Sequence, residues 1–249
     1  MRYHIDTIPL WDSFHKQGEC PLCTLQEQLE ADQVTITLEG SAMEPARRIE
    51  SNAAGYCAKH LRALALSQRN LTLSIVLTTH IGQLRRDLQP LFTVAGSGKK
   101  KALATLARAI REKTGGCVIC RRVETVMGRY MLTLLHLWKS DPKFQELLED
   151  SKGFCLPHAG MLLEAGEKRL FGEKKQAFAA TVAGLESRAL ARLEEELEHY
   201  SRMFDYRSAG RSWGTSRDVL PRATEKLRGG VPESPTAALE PELPPEEKE

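Results

Sequence analysis

The chain has 249 residues, a formal net charge of +2 and a hydrophobic fraction of 41%. This length allows one or two domains with their own cores, while the small net charge gives no electrostatic reason to expect nucleic-acid binding. No run approaches the roughly 18 apolar residues that suggest a membrane span, and the N-terminus does not resemble a signal peptide. We therefore expect a cytoplasmic protein that binds neither nucleic acid nor a membrane.

The first half of the chain, residues 1–96, is predicted to be helical and to contain two cysteine motifs. A C-x2-C motif occupies residues 20–23, and Pro21 within it suits the first turn of a helix. Helical periodicity continues beyond this motif, and Pro45 begins a second, shorter helix. A C-x2-H motif at residues 57–60 then precedes a long helix with a single apolar stripe.

The second half, residues 97–206, repeats the same order of parts. It contains a C-x2-C motif at residues 117–120, a short helix that begins at Pro142, and a C-x2-H motif at residues 155–158. A long helix is predicted to follow from about residue 172 to residue 206. Corresponding residues of the two halves are 97 or 98 positions apart, so we interpret the chain as an internal duplication with one inserted residue.

The last predicted helix carries an apolar stripe that is open to two interpretations. Apolar residues recur every three or four positions between Phe178 and Phe204, while the other faces are rich in glutamate and arginine. The stripe either packs within its own repeat or mediates binding to a protein partner or to a second copy of the chain. Residues 207–249 show no such pattern and end in a segment rich in proline and glutamate, so we predict a disordered tail.

The cysteine motifs predict two metal sites. Three thiolates and one imidazole form a common tetrahedral Zn²⁺ site, and each half supplies one such set. All six cysteines belong to these sets. We predict an all-α protein of two tandem helical repeats, with one Cys3His site in each repeat. The predicted ligands are Cys20, Cys23, Cys57 and His60 in the first repeat, and Cys117, Cys120, Cys155 and His158 in the second.

The same residues are compatible with other chemistry. Three cysteines and one histidine can also hold an iron–sulfur cluster, and the spacing alone does not distinguish such clusters from two Zn²⁺ ions. Disulfides do not explain a histidine that recurs in the same position, and a redox C-x2-C motif normally occurs once, after a strand. No catalytic or organic-cofactor-binding residue is predicted. We therefore expect a non-enzymatic interaction or adaptor module with structural zinc, or alternatively a redox protein.

The sequence resembles an uncharacterised bacterial family, classed as a domain of unknown function. The resemblance covers roughly residues 1–206 and rests on Tyr-His-Ile-Asp-Thr-Ile-Pro at residues 3–9, Cys-Pro-Leu-Cys at 20–23 and Gly-Phe-Cys-Leu-Pro-His at 153–158. Some members of that family are labelled as ABC-transporter substrate-binding proteins. We do not expect this label to apply here, because the sequence shows no export signal or lipoprotein cysteine. The resemblance implies duplicated metal-binding motifs but no activity.

Overall fold

The computed structural model describes residues 3–16, 18–96, 100–208 and 210–230. The described residues form eleven α-helices and three short 3₁₀ helices, without any strand, which confirms the predicted all-α fold. No helix in these ranges has an apolar stretch long enough to cross a bilayer. The α-helices are α1 (Tyr3–Phe14), α2 (Pro21–Leu38), α3 (Pro45–Ala54), α4 (Ala58–Leu66), α5 (Asn70–Gly96), α6 (Ala102–Thr114), α7 (Val118–Ser140), α8 (Pro142–Glu149), α9 (Leu156–Arg169), α10 (Gly172–Arg202) and α11 (Val219–Arg228).

The helices begin where the local sequence predicts. Pro21, Pro45 and Pro142 are the first residues of α2, α3 and α8, because proline lacks the N–H that a first turn leaves unpaired. Asp141 caps α8 by accepting a hydrogen bond from the backbone N–H of Lys143. The order α2 to α5 recurs as α7 to α10, as the duplication requires. The last helix of the duplication ends at Arg202 rather than near residue 206.

The chain forms two compact units that do not follow the predicted division at residue 96. Unit 1 contains the described residues of ranges 1–27 and 127–249, and unit 2 contains those of range 28–126. The boundaries between the units fall within α2 and α7. Each unit therefore combines the lead-in helix and C-x2-C motif of one half with the later helices of the other half. Residues 96–101, rich in glycine and lysine, are predicted to form a linker between the halves, and residues 97–99 of it lie outside the described residues.

Unit 1 has an aromatic core. Phe144 of α8 is fully buried, and the rings of Trp11 and Phe14 in α1 contact it edge-on at 5.4 and 5.3 Å between centroids. Trp138 of α7 contacts Phe178 of α10 in the same manner at 5.0 Å. Helix α10 packs against α9 and α11. The residues of the α10 stripe that are buried within this unit are Phe178, Val182, Leu185, Ala189, Leu193 and Tyr200.

Unit 2 is organised around α5, which packs against α3, α4 and α6. The backbone N–H of Val118, at the start of α7, donates a hydrogen bond to the carbonyl oxygen of Gly55 at 3.0 Å. Gly116 lies so close to the end of α3 that a Cβ atom on it would be 2.5 Å from the carbonyl oxygen of Ala54. Only glycine fits this approach. These contacts hold the start of α7 beside the segment that leads into α4.

The ordered part of the chain extends further toward the C-terminus than predicted. Residues 210–230, which the sequence analysis assigned to the tail, contain a 3₁₀ helix at residues 214–216 and helix α11. Trp213 is only 3% exposed, and its ring lies 5.3 Å from that of Tyr200 and 5.5 Å from that of Phe204. The prediction was wrong here because the buried ring of Trp213 and ion pairs of the charged side chains stabilise a segment whose composition is mostly polar. The remainder of the predicted tail, residues 231–249, lies outside the described residues.

Trp213→Ala tests whether this segment contributes to the fold. Because the indole is buried among aromatic rings, its removal should lower the free energy of unfolding by about 3–5 kcal/mol. Chemical denaturation followed by circular dichroism measures this change. Tyr206→Ala is the matched aromatic control, since the Tyr206 side chain is 84% exposed and should change stability little. Equal, small effects of both substitutions would contradict the packing described here.

Candidate metal centres

The eight predicted ligands come together in two groups of four. Within each group, one donor atom from every residue lies within 4.8 Å of the others, so the prediction of two Cys3His groups is confirmed. The predicted partners were wrong: each group joins the C-x2-C motif of one half to the C-x2-H motif of the other. The unit 1 group is Cys20, Cys23, Cys155 and His158, and the unit 2 group is Cys57, His60, Cys117 and Cys120.

The lengths of the helices are consistent with this exchange. Helix α2 has 18 residues and extends for about 27 Å, so it carries the chain away from the C-x2-C motif at its start. Helix α3, which leads back toward the next motif, has 10 residues and spans about 15 Å. The return helix is thus much shorter than the outgoing one. The C-x2-H motif that follows α3 meets the C-x2-C motif at the start of α7 instead.

In the unit 1 group, two helix N-termini present their donors to a common point. Cys20 directly precedes α2, and Cys155 is the N-cap residue of α9 with an extended backbone. The Sγ atoms of Cys23 and Cys155 are 3.5 Å apart. The Nδ1 atom of His158 lies 3.4 Å from the sulfurs of Cys20 and Cys23 and 3.2 Å from that of Cys155. Partial positive charge at both helix starts favours thiolate over thiol.

The unit 2 group has the same construction. Cys57 is the N-cap residue of α4, and Cys117 directly precedes α7. The Sγ atoms of Cys57 and Cys120 are 3.7 Å apart. The Nδ1 atom of His60 lies 3.2, 3.4 and 3.3 Å from the sulfurs of Cys57, Cys117 and Cys120, respectively. All six cysteines are free thiols at these distances, so none of them forms a disulfide.

Both histidines point Nδ1 at the sulfurs, but the other ring nitrogen has different surroundings. Nε2 of His158 lies 3.2 Å from Oε1 of Gln26, one turn beyond Cys23 in α2. A partner of this kind orients a metal-binding imidazole. Nε2 of His60 is buried and has no hydrogen-bond partner among the described residues. Burial lowers the pKa of His60, which favours the neutral imidazole that a metal binds.

Crowding of the sulfurs in unit 1 separates their pKa values. Burial and hydrogen bonding to Cys155 raise the pKa of Cys20, and hydrogen bonding to Cys155 raises the pKa of Cys23 to about 12. Hydrogen bonds from Cys20 and Cys23 in turn lower the pKa of Cys155. One thiolate is therefore stabilised by two neighbouring thiols. A cation bound among them would displace these protons, because metals bind the thiolate form.

Helix α11 covers the unit 1 group. The Glu225 carboxylate accepts hydrogen bonds from the backbone N–H groups of Glu19 and Cys20, each at 3.1 Å. A Cβ atom on Gly229 would lie 3.5 Å from the sulfur of Cys23. Gly229 has φ +76°, and a Cβ atom there would lie 3.2 Å from the sulfur of Cys155. The end of α11 thus lies directly against the sulfurs.

Buried ion pairs hold α11 in this position. Arg222 contacts the carboxylates of Glu19 and Glu196, and the Glu19 side chain is fully buried. Lys226 is also fully buried; its Nζ lies 2.9 Å from a carboxylate oxygen of Glu186 and 3.0 Å from the carbonyl oxygen of Lys152. Breaking such a pair leaves an uncompensated buried charge, which is strongly unfavourable. These contacts tie α11 to α10 and to the segments that carry Cys20 and Cys155.

Sequence reasoning missed the residues that surround the ligands. Gln26 could have been found from its spacing, because a residue three positions after Cys23 lies on the same helix face. Glu225 and Lys226 gave no usable signal, since the helix that carries them was assigned to a disordered tail. Their partners Glu19 and Glu186 also appear in the sequence as ordinary charged residues. Only the fold shows that these carboxylates are buried.

Two double substitutions test which motifs share an ion. Cys23→Ser with Cys155→Ser changes two residues of one group, so the protein should retain about one metal ion per chain. Cys23→Ser with Cys57→Ser changes one residue in each group, so both sites should lose their ion. Elemental analysis of the purified proteins measures metal per chain. Pairing within each half of the sequence would give the reverse result, with one ion retained only in the second variant.

Comparison with known proteins gives a family but no activity. No curated protein matches the chain significantly, and neither does any solved structure. The sequence profile of a family of unknown function, DUF6062, matches residues 1–234. This match spans both cysteine groups and α11. The chain is a member of the DUF6062 family.

Proposed function

We propose that this protein binds two zinc ions, one in each unit, and that the ions stabilise a non-enzymatic helical scaffold. The spacing of the donor atoms carries the proposal. A tetrahedral Zn²⁺ with Zn–S bonds of about 2.3 Å and Zn–N bonds of about 2.0–2.1 Å places its sulfurs about 3.8 Å apart and its sulfur and nitrogen about 3.6 Å apart. The Cys23 and Cys155 sulfurs are 3.5 Å apart, the Cys57 and Cys120 sulfurs are 3.7 Å apart, and the sulfur–nitrogen distances are 3.2–3.4 Å. All donor atoms of a group lie within 4.8 Å of one another.

The size of each group favours a single ion over an iron–sulfur cluster. An iron–sulfur cluster contains several irons and bridging sulfides between its protein ligands. Donor atoms that all lie within 4.8 Å of one another surround a space suited to one ion, and a cluster would need that space to expand. The alternative of a redox protein with iron–sulfur clusters is therefore the second candidate. The exposed thiol of Cys120 is the observation that favours thiol chemistry under that alternative.

A structural role for the ions follows from the donor set. Four protein side chains complete a tetrahedral shell, and no position is left for a substrate or a catalytic water. Metal binding at comparable sites in zinc-finger peptides contributes about 10–16 kcal/mol, which becomes folding free energy. Each proposed ion joins two helix starts from distant parts of the sequence. The reduced thiolates that such sites require are consistent with a cytoplasmic location.

We further propose that the scaffold acts as an interaction or adaptor module. Self-association through the α10 stripe has little support, because six residues of that stripe are buried within unit 1. We therefore expect the metal-loaded chain to be monomeric in solution and any protein partner to bind another surface. Size-exclusion chromatography with light scattering tests this expectation. A stable dimer that Leu190→Glu dissociates would contradict it, since Leu190 is a 40% exposed apolar residue of α10.

Metal content tests the identity of the ions. Protein purified anaerobically without added metal or chelator should contain about two zinc atoms per chain and show no visible absorption, because Zn²⁺ has a filled d shell. Removal of the metal with a strong chelator should lower the melting temperature, and added zinc should restore it. A brown protein that contains iron would support the iron–sulfur alternative instead. Metal-free protein with an unchanged melting temperature would overturn both.

A further inference from the structure

The two groups differ in their access to solvent. In unit 1 all four residues are buried, with exposures of 0% for Cys20, 3% for Cys23, 0% for Cys155 and 6% for His158. In unit 2 only His60 and Cys117 are buried, whereas Cys57 is half-buried and Cys120 is exposed. The donor sets and their internal distances are otherwise alike. Two sites of the same chemistry therefore present different surfaces to an incoming ligand.

We propose that the unit 2 site is an exchangeable metal site, at which a small external thiolate replaces Cys120, while the unit 1 ion is retained. The inference rests on the proposed metal binding and deepens it. In this exchange the incoming sulfur forms a bond to Zn²⁺ as the bond between Zn²⁺ and Cys120 breaks. The released Cys120 thiolate then takes a proton from water. No electron is transferred, so no oxidant or reductant is required.

Cys120 is the ligand best placed to leave. It is the only residue of its group that is exposed, and its position three residues after Cys117 puts it inside the first turn of α7. Its sulfur can move toward solvent while Cys57, His60 and Cys117 continue to hold the ion. An incoming ligand can approach from the exposed side without displacing a helix. The corresponding residue in unit 1, Cys23, is 3% exposed, and a Cβ atom on Gly229 would lie 3.5 Å from its sulfur.

The surroundings of the two histidines also indicate that the unit 2 ion is held less tightly. Gln26 accepts a hydrogen bond from the outer nitrogen of His158 when Nδ1 binds the metal, which fixes the ring and strengthens the ligand. The outer nitrogen of His60 has no such partner among the described residues. Loss of partners of this kind typically lowers metal affinity about 10–100-fold. The unit 2 ion is thus held by a less supported imidazole as well as by an exposed cysteine residue.

Release of the unit 1 ion requires α11 to move. The helix is fixed through Arg222, Glu225 and Lys226, each of which contacts a group in or beside the metal-binding segments. Opening this cover is a local unfolding event with its own free-energy cost. The rate of metal release from unit 1 should therefore depend on the stability of α11. The rate of metal release from unit 2 should not depend on the stability of α11.

The first experiment mixes the full-length, zinc-loaded protein with excess pyridylazoresorcinol, which changes colour when it binds zinc. We expect two phases of equal amplitude, with the first at least about tenfold faster, and acceleration of that phase alone by added glutathione. A single phase that releases both ions at one rate would overturn the inference. That outcome would still leave two zinc ions per chain, so failure of the inference is distinct from failure of the proposed metal binding.

The second experiment identifies the reactive sulfur without any substitution. The native zinc-loaded protein is treated briefly with iodoacetamide, which forms a thioether with an accessible sulfur and releases iodide. Peptide mass mapping should find Cys120 labelled first and Cys20, Cys23 and Cys155 protected until the protein is unfolded. Labelling of the unit 1 cysteines at the same rate as Cys120 would contradict the assignment.

The third experiment changes the cover rather than the ligands. Arg222→Ala removes contacts to Glu19 and Glu196, so it should accelerate the slow phase of zinc release and leave the fast phase unchanged. Arg228→Ala is the matched control, because Arg228 is an exposed residue of the same helix and its loss should alter neither phase. Acceleration of the fast phase by Arg222→Ala, or equal effects of both variants, would overturn the role assigned to α11.

Discussion

The structure depends on the convergence of two helix N-termini at each cysteine group. Helix N-termini carry partial positive charge, so two of them directed at one point repel each other unless negative charge lies between them. Three sulfurs provide that charge when they are deprotonated, and a divalent ion bound to them would fix their geometry. The motif C-x2-C or C-x2-H at a helix start is therefore both a candidate ligand pair and a source of the negative charge that lets the helix starts approach.

The sequence was sufficient to identify the eight residues that the structure brings together in groups of four, but not to pair their motifs. Cys-Pro at residues 20–21 and the repeated C-x2-H motif predict helix starts that carry metal ligands, and the structure has helices at these places. Each C-x2-C motif is chemically compatible with either C-x2-H motif, because the duplication made them alike. The long α2 and the short α3 favour the exchange, and a pattern of residue types does not express this difference in length.

The segment after residue 207 shows why composition misled the prediction of disorder. Its arginines, lysine and glutamate suggested a solvated chain, yet Arg222, Glu225 and Lys226 bind groups that the rest of unit 1 leaves buried. Arg222 joins Arg192 of α10 in pairing the buried Glu19 carboxylate, and Lys226 pairs with Glu186, so the charges of α11 help to offset the cost of burying these carboxylates. A polar segment can be ordered when its charged side chains form ion pairs with complementary charged groups in the rest of the folded unit. Those buried partners lie far away in sequence, so no local pattern reveals them.

Residues at equivalent positions of the two halves show where the two sites differ. Val118 donates its backbone N–H to Gly55 in unit 2, but the equivalent residue in unit 1 is Pro21, which has no N–H to donate. Gly116 packs against Ala54, whereas the equivalent residue in unit 1 is Glu19, whose backbone and side chain both contact α11. Unit 1 thus replaces a direct contact between its two motifs with contacts to an additional helix. Helix α11 covers the unit 1 site, whereas the unit 2 site keeps the direct contact and has an exposed cysteine. The difference in exposure therefore lies in the residues around the two groups and not in the types of donor.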